Sequence, residues 1–360
     1  MKSSEQGYRV AVVGASSLLG KELVNMLGER HFPFTRLVTF SDEEDEPDLP
    51  ILDLSEGPPT AALDENLPAS ALDFAFLAAR SRRMPAFLDA AQNSAAEPQG
   101  RHDGRPHSHC IVIDLSASPP ADEAAGRLIP HVVSVPFLDR AFPVREPAGG
   151  ASRVYVSARP ATIVLSSLLL RLGARFPLQN AVAHVFASVS EVGSHAIEEL
   201  QKQTVNLLSF QKIPRKIFGA QLAFNLLSRP AGTSGSELLA HEDGLRTQLQ
   251  QYLQGRVPLP AVRLLQVPVF HSLAVSLFVE TRQPVAPEKA DEALEGERIQ
   301  VRRRSQDSPT PVEVAGSDVI LVDSVKADPH HPTGLWIWAV ADNLRLAAVN
   351  AVEVAESLRK

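Results

Sequence analysis

The sequence holds a single cysteine, Cys110, among 360 residues. One thiol has no intrachain partner, which excludes a disulfide framework and fits a reducing cytoplasm. No run of about 18 apolar residues is present, which argues against a spanning helix. The polar start, Met1 to Tyr8, lacks the apolar core of a signal peptide and leads directly into a strand. An excess of positive charge is missing too. The formal net charge is -7, so there is no bulk basic field to draw in nucleic acid, and Arg302-Arg303-Arg304 reads as an isolated solvated turn. There is no internal repeat. These absences lead to the expectation of a cytoplasmic protein with no nucleic-acid or membrane partner. What is present is ordinary for a globular chain: 44% hydrophobic and 21% charged residues. At roughly 100–200 residues per domain, that is enough for two cores.

The first half opens with Tyr8 to Val13, YRVAVV, a valine-rich run of the length of a buried parallel strand. Gly14-Ala15-Ser16-Ser17-Leu18-Leu19-Gly20 follows at once. Lys21 to Glu29 then shows helical spacing, with Leu23, Met26 and Leu27 on one face. A strand, a glycine turn and a helix form the context of a dinucleotide fingerprint, in which the helix N-terminus offers N–H groups to a pyrophosphate. Gly14 permits the tight turn and Gly20 the close packing of helix on strand. The middle glycine is replaced by Ser17, whose side chain narrows the approach. The same turn would also serve a strand–helix junction that binds nothing. Leu37 to Phe40 reads as a second strand, followed by Ser41 and the acidic run Asp42 to Glu46. Asp42 stands where an acidic residue takes a ribose 2′-hydroxyl, and the run would repel a 2′-phosphate, favouring NAD over NADP. A solvated loop of like charges is the plainer reading of Glu43 to Glu46. Phe74 to Ala78 and Cys110 to Leu115 supply further strands, with a helix over Met84 to Ala91 between them. His102, His107 and His109 cluster beside Cys110 in a polar insertion, but their spacing matches no zinc pattern, and no metal is expected.

In the second half, short strands are expected at Arg153 to Ser157 and Ala181 to Ser188. Helices are expected at Thr162 to Leu172, at Ile197 to Leu208 with Glu198 and Glu199 outward, and at Leu238 to Leu253. Val267 to Val279 reads as one alternating strand, Val312 to Val325 as a strand pair, and Asp342 to Leu358 as a final helix. Elements that do not alternate strictly indicate an α+β sheet covered on one face.

Several segments together resemble aspartate-semialdehyde dehydrogenases: VAVVGASSLLG from Val10, EVGSHAIEELQKQT from Glu191, QLAFN from Gln221, PTPVEVAG from Pro309 and GLWIWAVADNLR from Gly334. The resemblance runs in order along nearly the whole chain. It implies an α/β fold with a Rossmann-type parallel-sheet nucleotide domain (1–152, completed by 342–360). It also implies an inserted α+β domain (153–341) whose sheet makes a homodimer. Cofactor-binding positions would be Gly14, Ser16, Ser17, Leu18, Leu19, Gly20, Asp42 and Asn343. Family enzymes reduce an acyl phosphate with NADPH through a cysteine thioester, and every step needs that sulfur. Here the matching segment, Val156 to Ile163, holds no cysteine, and the position falls on Pro160 or Ala161. Cys110 matches a nucleotide-domain strand instead. The family's glutamine beside the thioester falls on Ala187. Its carboxylate-clamping arginine falls on Gln266, which cannot make the bidentate ionic pair. Its phosphate-binding arginine falls on Ser118 or Pro119.

Two features survive the comparison. His271-Ser272 resembles the acid/base histidine motif, and Glu242 resembles the glutamate that holds the substrate amino group. A hydrogen-bonded histidine at a strand start and a solvated helix glutamate are equally good readings of the two. The Usg proteins, dehydrogenase paralogues without the cysteine, carry the same character, and the chain resembles that branch. Three functions follow as expectations. The first is a non-catalytic homologue that keeps fold and dimer, with NAD, NADP or no cofactor. The second is an NAD(P)-dependent oxidoreductase that uses His271 for thiol-independent hydride transfer to an aldehyde or oxo group. The third is a non-catalytic heteromeric partner of an active paralogue.

Overall fold

A computed structural model describes residues 7–41, 60–62, 72–79, 110–116, 121–122, 127–128, 131–143, 154–228 and 233–359. The expectations for Asp42 to Glu46, for a helix over Met84 to Ala91, for His102, His107 and His109, and for Ser118 and Pro119 lie outside these residues. The chain divides into two compact units. One comprises Met1–Pro136, Arg145–Ser157 and Ala348–Lys360. The other comprises Phe137–Val144 and Ala158–Ala347.

The first unit contains β1 (Tyr8–Val13), α1 (Leu18–Glu29), β2 (Phe34–Ser41), β3 (Thr60–Ala62), β4 (Phe74–Leu77) and β5 (Ile111–Asp114). A small hairpin follows, of β6 (Ala121–Asp122) and β7 (Arg127–Leu128), then β8 (Val132–Ser134), the short α2 (Pro136–Asp139), which from Phe137 belongs to the second unit, and β9 (Val154–Ser157). Seven strands form one parallel sheet in the order β3-β2-β1-β4-β5-β9-β8. The apolar run of β1 is explained by burial on both faces. Val10 and Val12 pack with Leu23, Met26 and Leu27 of α1 and with Ala348 to Ala355 of the final helix. Ala11 and Val13 face Phe40, Ala75, Leu77 and Cys110 on the other side. The order of strands reverses between β1 and β4, and ligands of open α/β sheets bind at such switch points, beyond the carboxyl ends of the strands.

The second unit runs through α3 (Pro160–Arg175), β10 (Leu178–Ala187), a 3-10 turn (Val189–Glu191), α4 (Ser194–Leu208) and α5 (Thr233–Leu253). It continues with β11 (Ala261–Gln266), β12 (Leu273–Thr281), α6 (Pro287–Leu294), β13 (Ile299–Val301), β14 (Ile320–Val322), β15 (Lys326–Ala327), β16 (Gly334–Ala341) and the start of α7 (Asn343–Ser357), which from Ala348 onward belongs to the first unit. The main sheet has the mixed order β11-β10-β12-β16-β14-β13, with β15 beside β16. Strand alternation sorts its faces. Ala181, Ala183, Val185 and Ala187 of β10 are buried, as are Val275, Leu277 and Val279 of β12 and Leu335, Ile337 and Ala339 of β16. α3 packs against these three strands and against α5 and α6. It is buried on all sides from Ala161 to Leu170, which explains why it is apolar all round rather than amphipathic. The opposite sheet face carries Val182, Phe186, Phe278 and both tryptophans. Phe278 and Trp336 lie with ring centroids 5.0 Å apart, and Phe186 and Trp338 5.9 Å apart.

Four local expectations need correction. Residues 267–272 are not strand. Ser272 sits at φ +74° and breaks the extended run, so β12 begins only at Leu273, and β11 precedes the break. The supposed pair over 312–325 is a turn that ends at Gly316, whose φ is +76°, followed by the single short β14. Glu242 is not solvated; it is only 4% exposed. Glu199 does not point outward. It is buried, and its carboxylate accepts the backbone N–H groups of Ile217 (2.7 Å) and Phe218 (3.2 Å). One turn further along α4, buried Gln203 donates to the carbonyls of Pro214 (2.8 Å) and Ala220 (3.0 Å) and accepts from the N–H groups of Leu222 (2.7 Å) and Ala223 (3.1 Å). Two buried side chains thus fix the loop after α4, because its backbone has no ladder to pair with.

Gln203→Ala strips partners from four backbone groups at once. With each buried orphan costing about 1–3 kcal/mol, the substitution is expected to destabilise the protein by about 3 kcal/mol or more. Urea unfolding monitored by far-UV circular dichroism measures this. A change below 1 kcal/mol (about the net worth of one ordinary hydrogen bond) would show that the loop is not held in this way.

Candidate functional site

The glycine turn stands at the carboxyl end of β1. Gly14 has φ +78°, and a side chain there would lie 2.4 Å from Cβ of Ala79. A Cβ on Gly20 would come within 2.0 Å of the Gly14 carbonyl oxygen, so the close helix–strand approach requires glycine at both ends. Ser17 is the N-cap of α1. Its hydroxyl donates to the Gly14 carbonyl (2.7 Å) and accepts from the Gly20 N–H (3.0 Å). The residue that replaces the middle glycine therefore turns inward and takes one helix-end donor for itself. Lys21 N–H bonds the Ser17 carbonyl, which leaves the N–H groups of Leu18 and Leu19 as the spare donors at this end. Ser16 Oγ is buried without a hydrogen-bond partner. An orphaned hydroxyl beside two spare helix-end donors fits a phosphate-bearing ligand.

In the second unit, the start of α3 is the position the resemblance assigns to the nucleophile. Pro160 occupies the first helical turn and Arg159 is the N-cap, with no side-chain capping bond of its own. A side chain of α5 reaches this helix start. Gln248 Oε1 accepts from Arg159 N–H (2.9 Å) and from Thr162 Oγ1 (3.0 Å). Ala161 is 8% exposed and Thr162 is fully buried. Neither a proline, an alanine nor a hydroxyl committed to an amide can attack a carbonyl. The Arg159 guanidinium lies against Gly244 of α5, where an added Cβ would meet Nη2 at 2.8 Å. Arg159 also acts electrostatically on Glu191. Burial raises the Glu191 carboxyl from 4.5 to about 7, and the arginine pulls in the opposite direction.

The remaining positions are engaged by the chain itself. Gln266 is buried and its amide donates to the Ala187 carbonyl (2.9 Å). Both Glu242 oxygens have partners: Arg246 and Arg263 on one, and the Leu264 N–H at 2.7 Å on the other. His271 is exposed. The next residue, Ser272, is buried; its N–H bonds Asn343 Oδ1 (2.8 Å) while its hydroxyl has no partner. Asn343 exchanges further hydrogen bonds with Ser190, at 3.0 and 3.2 Å. The structure thus gathers Asn343, Ser190 and Ser272 in one buried network and places Gln266 beside Ala187. The sequence reading missed Arg159, Glu191 and Gln248. An Arg-Pro start to an apolar helix was the available signal, since a helix without its own capping residue needs a donor or acceptor from elsewhere. Cys110 lies in the first unit, fully buried before β5. Desolvation, with Asp73 nearby, pushes its thiol up to about 12.

Two family models match the chain: "Semialdehyde dehydrogenase, NAD binding domain" over residues 9–134 and "Semialdehyde dehydrogenase, dimerisation domain" over 169–346. A USG-1 protein homolog of Pseudomonas aeruginosa is 30% identical, with 99% of this chain and 98% of that protein covered. The chain belongs to the aspartate-semialdehyde dehydrogenase family. Within it, the sequence falls in the Usg-like branch. The aspartate-semialdehyde dehydrogenase of Aquifex aeolicus is 26% identical, with 98% of each chain covered. The solved structure of a probable aspartate-semialdehyde dehydrogenase from Pseudomonas aeruginosa is 27% identical, with a TM-score of 0.77 and 98% of each chain covered. The family supplies an NAD(P)-binding Rossmann domain and a dimerisation domain, and the one cysteine of this member, Cys110, is buried in the first unit.

Two outcomes follow from this geometry. At pH 8 a thiol reagent is expected to leave the native protein unmodified and to label one thiol after denaturation; rapid native labelling would contradict the buried, high-pKa Cys110. Glu191 has a folded-state pKa above its unfolded value, so the folded state holds the proton more tightly. Its contribution to stability is then lost as pH rises from about 4.5 to about 7. Glu191→Gln is expected to flatten that slope and to raise stability at pH 8 by up to about 3 kcal/mol. Thermal unfolding of both proteins between pH 4 and 8 (roughly the unperturbed and perturbed limits) measures the difference, and parallel curves would refute the assignment.

Proposed function

We propose that this protein is a non-catalytic member of the aspartate-semialdehyde dehydrogenase family that keeps a nicotinamide-nucleotide site and acts as a dimer. The observation that carries the proposal is the start of α3, where the resemblance puts the nucleophile on Pro160 or Ala161 and where Gln248 accepts from the Arg159 N–H and the Thr162 hydroxyl. Covalent catalysis through a thioester needs a sulfur there, and loss of such a nucleophile lowers rates by orders of magnitude. Gln266 points in the same direction, because its amide is tied to Ala187 rather than left for a substrate carboxylate. Direct hydride transfer assisted by His271 is the weaker reading. His271 is exposed and has no hydrogen bond among the described residues to set its tautomer.

On this reading the turn from Gly14 to Gly20 holds the pyrophosphate, through Ser16 Oγ and the Leu18 and Leu19 N–H groups. The acidic run from Asp42 favours NAD over NADP. Purified protein is expected to show no NADP-dependent, phosphate-dependent oxidation of aspartate semialdehyde; turnover at the rate of an active paralogue assayed alongside would overturn the proposal. Titration of NAD, NADP and their reduced forms should raise the unfolding temperature for NAD, since a ligand that binds the folded state stabilises it. Ser17→Gly frees the Gly20 N–H and opens the turn, at a capping cost of a few tenths of a kcal/mol. It is expected to enlarge the NAD shift. A shift that is absent in both proteins would leave the turn as a structural junction only.

A further inference from the structure

One end of the sheet in the second unit gathers buried polar side chains whose hydrogen-bonding capacity is not used up. β10 is parallel to β11 and antiparallel to β12, and β12 is antiparallel to β16. The last residues of β10, β11 and β16 therefore lie at the same end as the first residue of β12. Ala187 is in register with Gln266, and Leu273 with Ala341. Three side chains at this end are almost wholly buried: Gln266 is 3% exposed, Asn343 2% and Ser272 1%. Gln266 Nε2 has two hydrogens and gives one to the Ala187 carbonyl, while Oε1 has no partner among the described residues. Asn343 Nδ2 likewise gives one hydrogen to Ser190 Oγ (3.0 Å). Ser272 Oγ has no partner among the described residues. The loop before Ser272 is fixed, because the Val189 and Ser190 N–H groups bond the carbonyls of Val269 (2.9 Å) and Phe270 (3.0 Å). Ser272 itself holds φ +74°, a strained conformation of the kind that gathers at ligand sites.

The charge at this end does not suit an anion. Residues 187–191, 266–272 and 341–343 contain no lysine or arginine. Their acids are Asp342, whose oxygens accept from the N–H groups of Gly316, Leu344 and Arg345, and Glu191, on which Arg159 acts from the start of α3. A carboxylate brought to Gln266 meets the lone pairs of Oε1 and loses its water without gaining a cation, which is costly. A carboxamide carries a donor and an acceptor side by side. It complements the free Oε1 and the second Nε2 hydrogen of Gln266. We infer that this end of the sheet binds a ligand bearing a neutral carboxamide, with Gln266 selecting it against a carboxylate and with Ser272 Oγ and Asn343 Nδ2 offering further hydrogen bonds. This rests on the non-catalytic reading and goes beyond it: the position that the resemblance gives to a carboxylate clamp recognises an amide instead.

The test is isothermal titration of the full chain with succinamide and with succinate, one skeleton ending in carboxamides or in carboxylates. The wild type is expected to bind succinamide more tightly by about tenfold or more (about 1.4 kcal/mol). Gln266→Arg is expected to reverse the order, because arginine pairs with a carboxylate. Gln266→Met brings no charge into the interior and is expected to abolish the discrimination, so it carries the test if the arginine variant does not fold. Ser272→Gly removes the hydroxyl while relieving the positive φ, and is expected to weaken succinamide by about tenfold. Far-UV circular dichroism checks the fold of each variant. Equal or tighter binding of succinate by the wild type, binding of neither probe, or affinities unchanged in all three variants overturns the inference. None of these readouts involves nucleotide binding or semialdehyde turnover, so the non-catalytic reading stands or falls separately.

Discussion

The second unit is organised around the complete burial of α3. A helix surrounded by a sheet and two other helices cannot send its first N–H groups to water, so its N-terminus must be satisfied from within. Gln248 accepts from the Arg159 N–H just before the helix and from the Thr162 hydroxyl in its first turn, which ties α5 to the start of α3. The turn that holds Pro160 and Ala161 is therefore a packed and internally bonded joint.

Other buried polar groups of the second unit follow the same logic of internal satisfaction. Gln266 bonds a backbone carbonyl, Glu242 bonds two arginines and an amide N–H, and Asn343 ties Ser190 to Ser272. A buried polar group left unpaired is costly, so these side chains take partners within the chain. The first unit contrasts with this. There Ser16 Oγ remains an orphan and α1 retains spare donors, although Ser17 has claimed one of them. The two halves of the chain thus differ in how far their binding groups have been absorbed into the fold.

Much of the architecture was legible because it rests on local rules. The valine run of β1, the glycine turn and the spacing of Leu23, Met26 and Leu27 specify a strand, a junction and a helix without reference to anything distant. The missing cysteine was equally plain. Readings failed where a single backbone angle or a distant partner decided the outcome. The alternation from Val267 to Val279 continues through Ser272, yet a positive φ at that residue ends the run. Glu199 has the composition of a surface residue and lies in the interior because two amide N–H groups of a later loop needed an acceptor.

By itself the sequence determined the family, the two-part α/β and α+β organisation, and the presence of a single cysteine, because these depend on residue identity and short-range periodicity. Only the tertiary structure decided that Gln248 bonds the start of α3, that Arg159 acts electrostatically on Glu191, and that Phe210 and Phe224 stand exposed in strained backbone. Those facts depend on which distant groups meet in a low-dielectric interior, and on which are left without a partner at the surface. No local pattern encodes such pairings, since residues 89 positions apart, as Arg159 and Gln248 are, are brought together only when the core closes.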